Sequence, residues 1–518
     1  MNRTTLSLIA CTAALAAVTG FAAFDPPDAA GTGSTGSSAR LPVERTTLVC
    51  PSPSNSDIAD TTYSSFTPVT QGTPGDGTTE LKPATGQQAG GTGDSGEDES
   101  EDGDGKGEDG DGKKDDGGRA AGTPDLKPEQ PGTPVTSDVS GSDTPALVGT
   151  ADGKFAPGWT VQETTEIAAG TGRGLLGLDC AAPDTDFWFP GASTSADRTD
   201  YVHLTNPDDS AAVVDIDLYG KDGAVKSTLG EGITVPPHST EPVLLSTLSD
   251  TAQDDLTVHV SVRSGRVGAA VQALDDKLGG DWLAAAADAA DTVVLPGIPK
   301  DATSVRLIAF SSADADTDLK VQLASPSGLI TPAGHDTVHI KGGTTTAVDL
   351  GDLTRGQAGS LVLTQDDPAV PVVAALRVIR GKGDQQESAF IPSTAPFTTR
   401  ATAVGNSAEG TTLSLTAPTA TAQVKVTASA GSDGGTEVSK TFTIQRGTTQ
   451  DITPPVPDGL KGTYALTVQR LSGGPVYGAR TLTSTGDGVA GVTTQTLPDD
   501  GGTVAVPQAD QDVSVLQQ

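Results

Sequence analysis

The chain has 518 residues, and its 67 acidic side chains outnumber 32 basic ones to give a formal net charge of −35 and an isoelectric point near 4.2. An acidic surface repels phosphate backbones, so the charge excludes nucleic acid as a partner. Aromatic residues make up only 3% of the chain, so few side chains are suited to stacking on a ligand.

The first predicted element is an export segment. Residues 5–24 form an uncharged, largely apolar run behind a short N-terminus that carries Arg3, which is the pattern of a secretory signal peptide. A run of this length can also span a bilayer as an uncleaved anchor. We therefore expect residues 1–24 to be either a signal peptide or a transmembrane anchor. Both alternatives predict an extracytoplasmic protein, with this segment as its only membrane contact.

Two cysteines lie in the exported part, Cys50 and Cys180, because Cys11 falls inside the export segment. Extracytoplasmic compartments permit disulfides, and an even number of cysteines favours pairing. We expect a disulfide between Cys50 and Cys180, and the alternative is a pair of buried thiols.

Most of the sequence between these cysteines has low complexity. Residues 70–150 are rich in Gly, Thr, Ser, Pro and Asp, and positions 94–116 hold twelve acidic residues against three lysines. Because this segment has so few apolar side chains, their burial cannot offset the conformational entropy that the chain loses when it is ordered. The composition predicts that residues 70–150 are disordered. Residues 41–69 are predicted to be an arm that packs on the first folded domain.

A glycine-rich stretch follows at Gly172, Gly174 and Gly177, which match the pattern G-x-G-x-x-G. In a dinucleotide-binding loop a strand precedes these glycines and a helix opens on them. Here Pro183 and the aromatic run at 187–189 predict a turn and then a strand. The context excludes a nucleotide site, and we expect no cofactor.

The remaining chain alternates apolar and polar residues. Val214, Ile216 and Leu218 share one face of a strand, and Leu256 and Val258 share one face of another. Such alternation, interrupted by Gly, Asn, Asp and Pro, is typical of half-buried strands. A single short helical pattern occurs at residues 281–290, at the end of the first predicted domain. The sequence therefore predicts an all-β chain.

These strand patterns repeat at a fixed period. Equivalent positions recur at intervals of 105 and 104 residues, in one set at Val235, Ile340 and Ile444 and in a second set at Ala270, Ala375 and Ala479. A unit of this size with several short strands fits an immunoglobulin-like β-sandwich. We predict three tandem sandwiches, at residues 151–285, 291–384 and 388–484, followed by a C-terminal tail at 485–518.

Three segments carry a family resemblance: TTLVCPSP around Cys50, TTYSSFTPV after it, and GLLGLDCAAPDTDFWFPG around Cys180. They resemble segments of an uncharacterised family of secreted or membrane-anchored actinobacterial proteins of the Streptomyces type. The acidic segment looks like an insertion into that family's pattern. The resemblance implies an envelope-associated accessory protein and supplies no catalytic residues.

No residue pattern predicts a catalytic or metal site. His335 and His339 have the spacing of a zinc pair on a helix, but on the strand predicted here they would lie about 13 Å apart. There is no G-x-S-x-G turn for a nucleophile. Two carboxylates converging in a cleft, roughly 5–10 Å apart, would indicate a glycosidase, and a sequence does not give that distance. We therefore assign no catalytic, cofactor-binding or metal-binding residues.

The pattern favours a non-enzymatic scaffold or interaction protein of the cell envelope, in which the loops of rigid sandwiches contact another protein. The alternative is an array of glycan-binding modules at the cell surface. Under that alternative Trp159 and Trp282 are the candidate ligand-contact aromatics, because sugars stack on exposed indole rings. The expected partner is thus an envelope protein or a cell-surface glycan.

Overall fold

The computed structural model describes residues 39–84, 126–227, 229–365, 370–484 and 491–506. The predicted export segment at 1–24, the acidic run at 94–116 and the last part of the predicted tail lie outside these residues. The described chain has two compact bodies, one of residues 39–41 and 504–506, and one within residues 42–503. The first strand is β1 (Ala39–Pro42).

Unit I holds sequence from both sides of the acidic segment. Its strands are β2 (Arg45–Cys50), β3 (Ala59–Phe66), β4 (Thr79–Pro83), β5 (Val135–Ser140), β6 (Leu147–Asp152), β7 (Thr160–Ile167) and β8 (Gly174–Asp179). One antiparallel sheet has the order β2-β6-β4 and the other the order β5-β3-β7-β8. Tyr63, Phe155 and Trp159 are buried in a core of their own.

Unit II begins after the second cysteine. Its strands are β9 (Asp186–Ala192), β10 (Arg198–Thr205), β11 (Ala212–Gly220), β12 (Gly223–Val225), β13 (Ile233–Val235), β14 (Thr240–Leu244), β15 (Leu256–Ser264), β16 (Gly268–Asp275) and β17 (Gly279–Leu283). The sheet orders are β12-β11-β15-β9, with β13 on β11, and β14-β10-β16-β17. Val214, Ile216, Leu256 and Val258 all face the core, as the alternation predicts.

Unit III repeats this arrangement. Its strands are β18 (Thr292–Ile298), β19 (Ala302–Phe310), β20 (Thr317–Ser325), β21 (Gly328–Ile330), β22 (Thr337–Ile340), β23 (Thr345–Gly351), β24 (Gly359–Gln365), β25 (Val373–Arg380) and β26 (Glu387–Pro392). The orders are β18-β24-β20-β21, with β22 on β20, and β23-β19-β25-β26.

Unit IV closes the large body. Its strands are β27 (Arg400–Asn406), β28 (Thr411–Ala417), β29 (Ala422–Gly431), β30 (Gly434–Thr436), β31 (Val438–Ile444), β32 (Thr448–Ile452), β33 (Asp458–Lys461), β34 (Tyr464–Gly473), β35 (Tyr477–Ser484) and β36 (Gly491–Leu497). The orders are β27-β34-β29-β31 and β32-β28-β35-β36, and β30 pairs with β33. The last strand, β37 (Thr503–Val506), pairs with β1.

The described part of the chain is therefore all-β, as predicted, with short 3-10 helices at Gly153–Phe155, Leu245–Thr247 and Gly383–Gln385. Within that part there is no helix long and apolar enough to cross a membrane. The helical pattern at 281–290 does not form a helix, because its first residues belong to β17, which pairs with β16.

The strand order of the sheet β5-β3-β7-β8 recurs in all four units of the described residues, whereas the sequence period predicted three units. The strands β5, β14, β23 and β32 begin at residues 135, 240, 345 and 448, which are 105, 105 and 103 residues apart. The period thus extends back into unit I. It was missed because the acidic segment separates β4 from β5 and interrupts the first copy.

Several strands lie where other features were predicted. β4 and β5 fall inside the segment 70–150, although its composition predicted disorder, and Leu126, Val139 and Leu147 are buried there. Few apolar residues suffice because each of them faces a core. Residues 41–69 contribute β2 and β3 to the sheets of unit I, and β36 lies inside the predicted tail.

The four units meet at one place. β8, β17, β26 and β36 are the outermost strands of the four-stranded sheets, one from each unit. β8 contacts β17, β17 contacts β26, β26 contacts β36, and β36 contacts β8. The units therefore form a closed ring around a shared junction.

Candidate functional site at the junction of the four units

The predicted disulfide between Cys50 and Cys180 is confirmed. Cys50 ends β2 and Cys180 follows β8, so the bond joins the two sheets of unit I. Glu163 lies beside it, with potential ligand atoms of all three residues within 4.8 Å of one another. Two sulfurs that are bonded to each other offer no thiolate to a metal. Burial raises the pKa of Glu163 well above its ordinary value.

At the centre of the junction, Asp281 of β17 contacts the other three central strands. Its carboxylate accepts hydrogen bonds from the backbone N–H of Gly177 in β8 (3.4 Å) and of Phe390 in β26 (3.3 Å). The hydroxyl of Thr493 in β36 is a further donor. The side chain is fully buried, which raises the pKa of Asp281 well above its ordinary value. One carboxyl group thus links four units.

β8 and β36 approach each other closely beside this carboxylate. A Cβ atom on Gly177 would lie 2.6 Å from Cγ2 of Thr493, far inside van der Waals contact. The third glycine of the G-x-G-x-x-G match therefore permits β8 and β36 to approach, and it leads into a strand as the sequence context indicated.

A buried charge network lies next to this carboxylate. Arg480 of β35 is fully buried and donates to the backbone oxygen of Val404 (2.5 Å) and to the side-chain oxygen of Gln495. Gln162 of unit I donates to Asp179 and accepts from the backbone N–H of Val404 (2.7 Å). Burial raises the pKa of Asp179 to about 6 against the opposing effect of Arg480, and burial lowers the pKa of Arg480 to about 10. Units I and IV are therefore joined by paired charges and amides.

Units II and III are joined by a second group of charges. Arg198 and Asp200 form a bidentate buried pair, with N–O distances of 2.9 and 2.7 Å. Arg377 of unit III donates to Asp275 of unit II at 2.7 Å. The guanidinium of Arg198 also lies over the ring of Phe390, 5.4 Å from its centre. The Arg198–Asp200 pair lies within unit II, and the contacts of Arg377 with Asp275 and of Arg198 with Phe390 are the ones that cross between the two units.

Between the central strands lies a cavity of about 170 Å³. Its lining comes from all four units and includes Asp179, Phe187, His203, Trp282 and Gln495. A larger cleft of about 1030 Å³ opens beside it, lined by polar and apolar residues of units I, II and IV. These two spaces are the candidate binding sites of the described chain.

The two candidate aromatics lie at these spaces, but not as exposed rings. Trp159 lines the cleft and Trp282 lines the cavity, and the exposed fractions of the two residues are 4% and 3%. The indole N–H of Trp159 donates to the hydroxyl of Ser65 (2.9 Å). Neither ring presents a face to solvent on which a sugar could stack.

The third tryptophan, Trp188, lies between units II and III. Its ring stacks on His259 with centroids 3.9 Å apart and on Phe310 with centroids 5.2 Å apart. Phe187 and Phe189, its neighbours in β9, face the opposite side and are buried. The two phenylalanines therefore belong to the core of unit II, whereas Phe310, one partner of Trp188, comes from the next unit.

The fold and the junction together define a class: an all-β protein of antiparallel two-sheet units closed around one buried centre. Residues 135–455 match the family described as a family of unknown function (DUF5719). This match covers more than half of the chain, so the chain belongs to that family, in agreement with the resemblance to an uncharacterised family. No curated protein and no solved structure matches the sequence.

Proposed function

We propose that the chain is a non-enzymatic extracytoplasmic scaffold of the cell envelope, built from immunoglobulin-like sandwiches that hold a binding surface rigid. The observation that carries this proposal is the closed ring of β8, β17, β26 and β36. Tandem domains on linkers can change their relative orientation. Four units that share buried charges and backbone hydrogen bonds present their loops in one fixed arrangement.

The Cys50–Cys180 disulfide supports the proposed location, since such bonds persist in oxidising compartments. The sandwich assignment rests on paired antiparallel sheets of about 105 residues per unit. The strong negative charge favours a soluble scaffold and disfavours phosphate-rich partners.

The cleft between units I, II and IV is the proposed interaction surface. It carries the ion pair of Arg266 and Asp208, with N–O distances of 2.9 and 3.0 Å, and both side chains are partly exposed. Arg45, His238 and Asp209 also line it. Mixed charges beside apolar residues in a large cleft suit a protein loop, which offers donors, acceptors and apolar side chains together.

The experiment is retention of envelope proteins on the immobilised full chain, compared between two double variants. Arg266→Ala with Asp208→Ala removes the ion pair of the cleft. Lys221→Ala with Asp222→Ala removes a second, exposed ion pair of unit II that does not line the cleft. Exposed ion pairs contribute little to stability, so both variants should remain folded. We expect the first variant to lose a partner that the wild type and the second variant retain, and equal retention by both would refute the proposed surface.

Glycan binding remains the alternative proposal, because Thr47, Thr150 and Thr160 line the cleft and a hydroxyl both donates and accepts hydrogen bonds. The same variants test it on immobilised cell-wall polysaccharides. Saturable binding that is lost only in the cleft variant would favour the glycan-binding array. Binding to a protein and to no polysaccharide would favour the scaffold.

A further inference from the structure

The central cavity has polar groups in its lining that no neighbour satisfies. Among the described residues, the indole Nε1 of Trp282, the amide Nε2 of Gln495 and both ring nitrogens of His203 have no hydrogen-bond partner. All three side chains are more than nine-tenths buried. Buried polar groups are nearly always paired in proteins, so an unpaired cluster that lines a cavity indicates a missing ligand or water.

The remaining wall is apolar. Phe187 of unit II and Phe390 of unit III line the cavity, together with several alanines. Its volume of about 170 Å³ is similar to that of an engineered cavity of about 150 Å³ that holds benzene. Ala181 and Pro498, which also line the cavity, are exposed, so it reaches the surface. A body the size of a phenyl ring therefore fits and has a route of entry.

The charges of the site favour an uncharged occupant. Burial lowers the pKa of His203 to about 4, with the neighbouring Gln272 opposing the shift, so the ring is neutral at pH 7. The carboxyl group of Asp179 repels an anionic ligand. A cationic ligand gains little from Asp179, because the nearby positive charge of Arg480 repels it. The N–H groups of Trp282 and Gln495 can only donate, so they require an acceptor on the ligand.

We propose that this cavity binds a small uncharged molecule with a phenyl-sized apolar body and one carbonyl-type oxygen, which accepts hydrogen bonds from Trp282 and Gln495. Phe187 and Phe390 enclose the apolar body. The site is separate from the cleft proposed for protein contact. Since all four units line the cavity, an occupant would contact every unit of the ring at once.

The test uses two probes of nearly equal shape, acetophenone and α-methylstyrene. α-Methylstyrene has a methylene group where acetophenone has its carbonyl oxygen. The indole N–H resonances of the three tryptophans are recorded on the full-length chain, and Trp282→Phe assigns the resonance of Trp282. We expect acetophenone to shift that resonance saturably and to bind about 10-fold more tightly than α-methylstyrene, because only the ketone pairs with the buried donors. Equal affinity for the two probes, or no saturable shift with either, would overturn the proposal and leave water as the occupant.

Two alanine variants locate the binding. Ala284→Leu fills the cavity from its lining, whereas Ala287→Leu adds the same bulk three residues further on, outside the lining. Both alanines are half-buried, so the two changes are comparable in their effect on folding. Unchanged resonances of Trp159 and Trp188 show that each variant is folded. We expect Ala284→Leu to weaken acetophenone binding at least 10-fold and Ala287→Leu to leave it unchanged, and equal binding by the two variants would place the ligand elsewhere.

Discussion

Replacing Gly177 by alanine tests whether the close approach of β8 and β36 holds the ring together. The added Cβ would lie 2.6 Å from Cγ2 and 2.9 Å from Oγ1 of Thr493, and carbon atoms normally approach no closer than about 3.5 Å. Thr493 is buried and has little room to move. Overpacking of this kind costs about 1–3 kcal/mol, because strands or side chains have to shift.

The matched control is Gly75→Ala, since a Cβ at that position meets no atom within 4 Å. Both changes restrict the unfolded chain to a similar degree, which favours the folded state by about 0.4–1 kcal/mol. The control should therefore be neutral or slightly stabilising. The difference in unfolding free energy between the two variants, about 1–3 kcal/mol, then measures the clash alone.

A double-mutant cycle identifies the clashing partner. Thr493→Ala removes the two atoms closest to the new Cβ and leaves Nε2 of Gln495 at 3.1 Å, so it should restore part of the stability lost in Gly177→Ala, with a coupling of about 0.5–2 kcal/mol. Urea unfolding followed by circular dichroism gives the free energies, and hydrogen exchange of peptides from β8 and β36 locates the change. If Gly177→Ala is as stable as Gly75→Ala, or if the cycle shows no coupling, the described packing of these strands is wrong.

The other predictions concern the buried groups. Replacing Cys50 and Cys180 by serine, or reducing them, should lower the free energy of unfolding by about 5 kcal/mol, because the disulfide closes a loop with a sequence separation of 130; equal urea midpoints with and without reductant would contradict this. The depressed pKa of His203, about 4 against 6.5, gives stability that is present above pH 6.5 and lost as the pH falls towards 4, up to about 3 kcal/mol. His203→Gln should lack that loss in unfolding measured at pH 7 and pH 4.5, and an unchanged pH dependence would contradict it. Asp179 acts in the opposite direction, since its raised pKa of about 6 gives stability that is lost as the pH rises from 3.8 to 6, so Asp179→Asn should make the protein more sensitive to acid in the same measurement. Arg480→Met leaves several buried acceptors unpaired and should cost about 3–5 kcal/mol, and a loss below about 1 kcal/mol in thermal unfolding would show that these contacts are dispensable.

The sequence was sufficient where structure depends on local periodicity. Val214, Ile216 and Leu218 alternate with polar residues, and a two-sheet unit buries one face of such a strand. Cys50 and Cys180 could be paired because no other cysteine was available in the exported part. The first inference depends only on neighbouring residues and the second only on the number of cysteines, so neither depends on how the units pack against one another.

The junction could not be predicted in this way. Asp281 is one of 67 acidic residues, and the residues it contacts in the other units are Gly177, Phe390 and Thr493, so no neighbouring acid or base marks it in the sequence. Its role arises only when four strands from distant parts of the chain meet. Unit I, in contrast, could have been predicted from the sequence, because the repeat period of about 105 residues, counted back from unit II, leads to β5 at Val135.

The two candidate tryptophans show a related limit. A chain with few aromatic residues uses them first where large apolar surfaces have to be covered. Trp159 covers Gly149 in the core of unit I, and Trp282 lies where the units meet. Composition alone does not distinguish an exposed indole from one at a junction.

The closure of the ring has a consequence for the order of folding. The contact between β8 and β36 joins residues more than 300 positions apart, so β36 is synthesised long after β8. Until then Gly177 and the neighbouring Leu175 have no strand to cover them, and open strand edges of this kind are where chains associate wrongly. A nascent chain therefore has an incomplete ring until β36 has been synthesised, and a premature stop before residue 491 would leave it incomplete permanently.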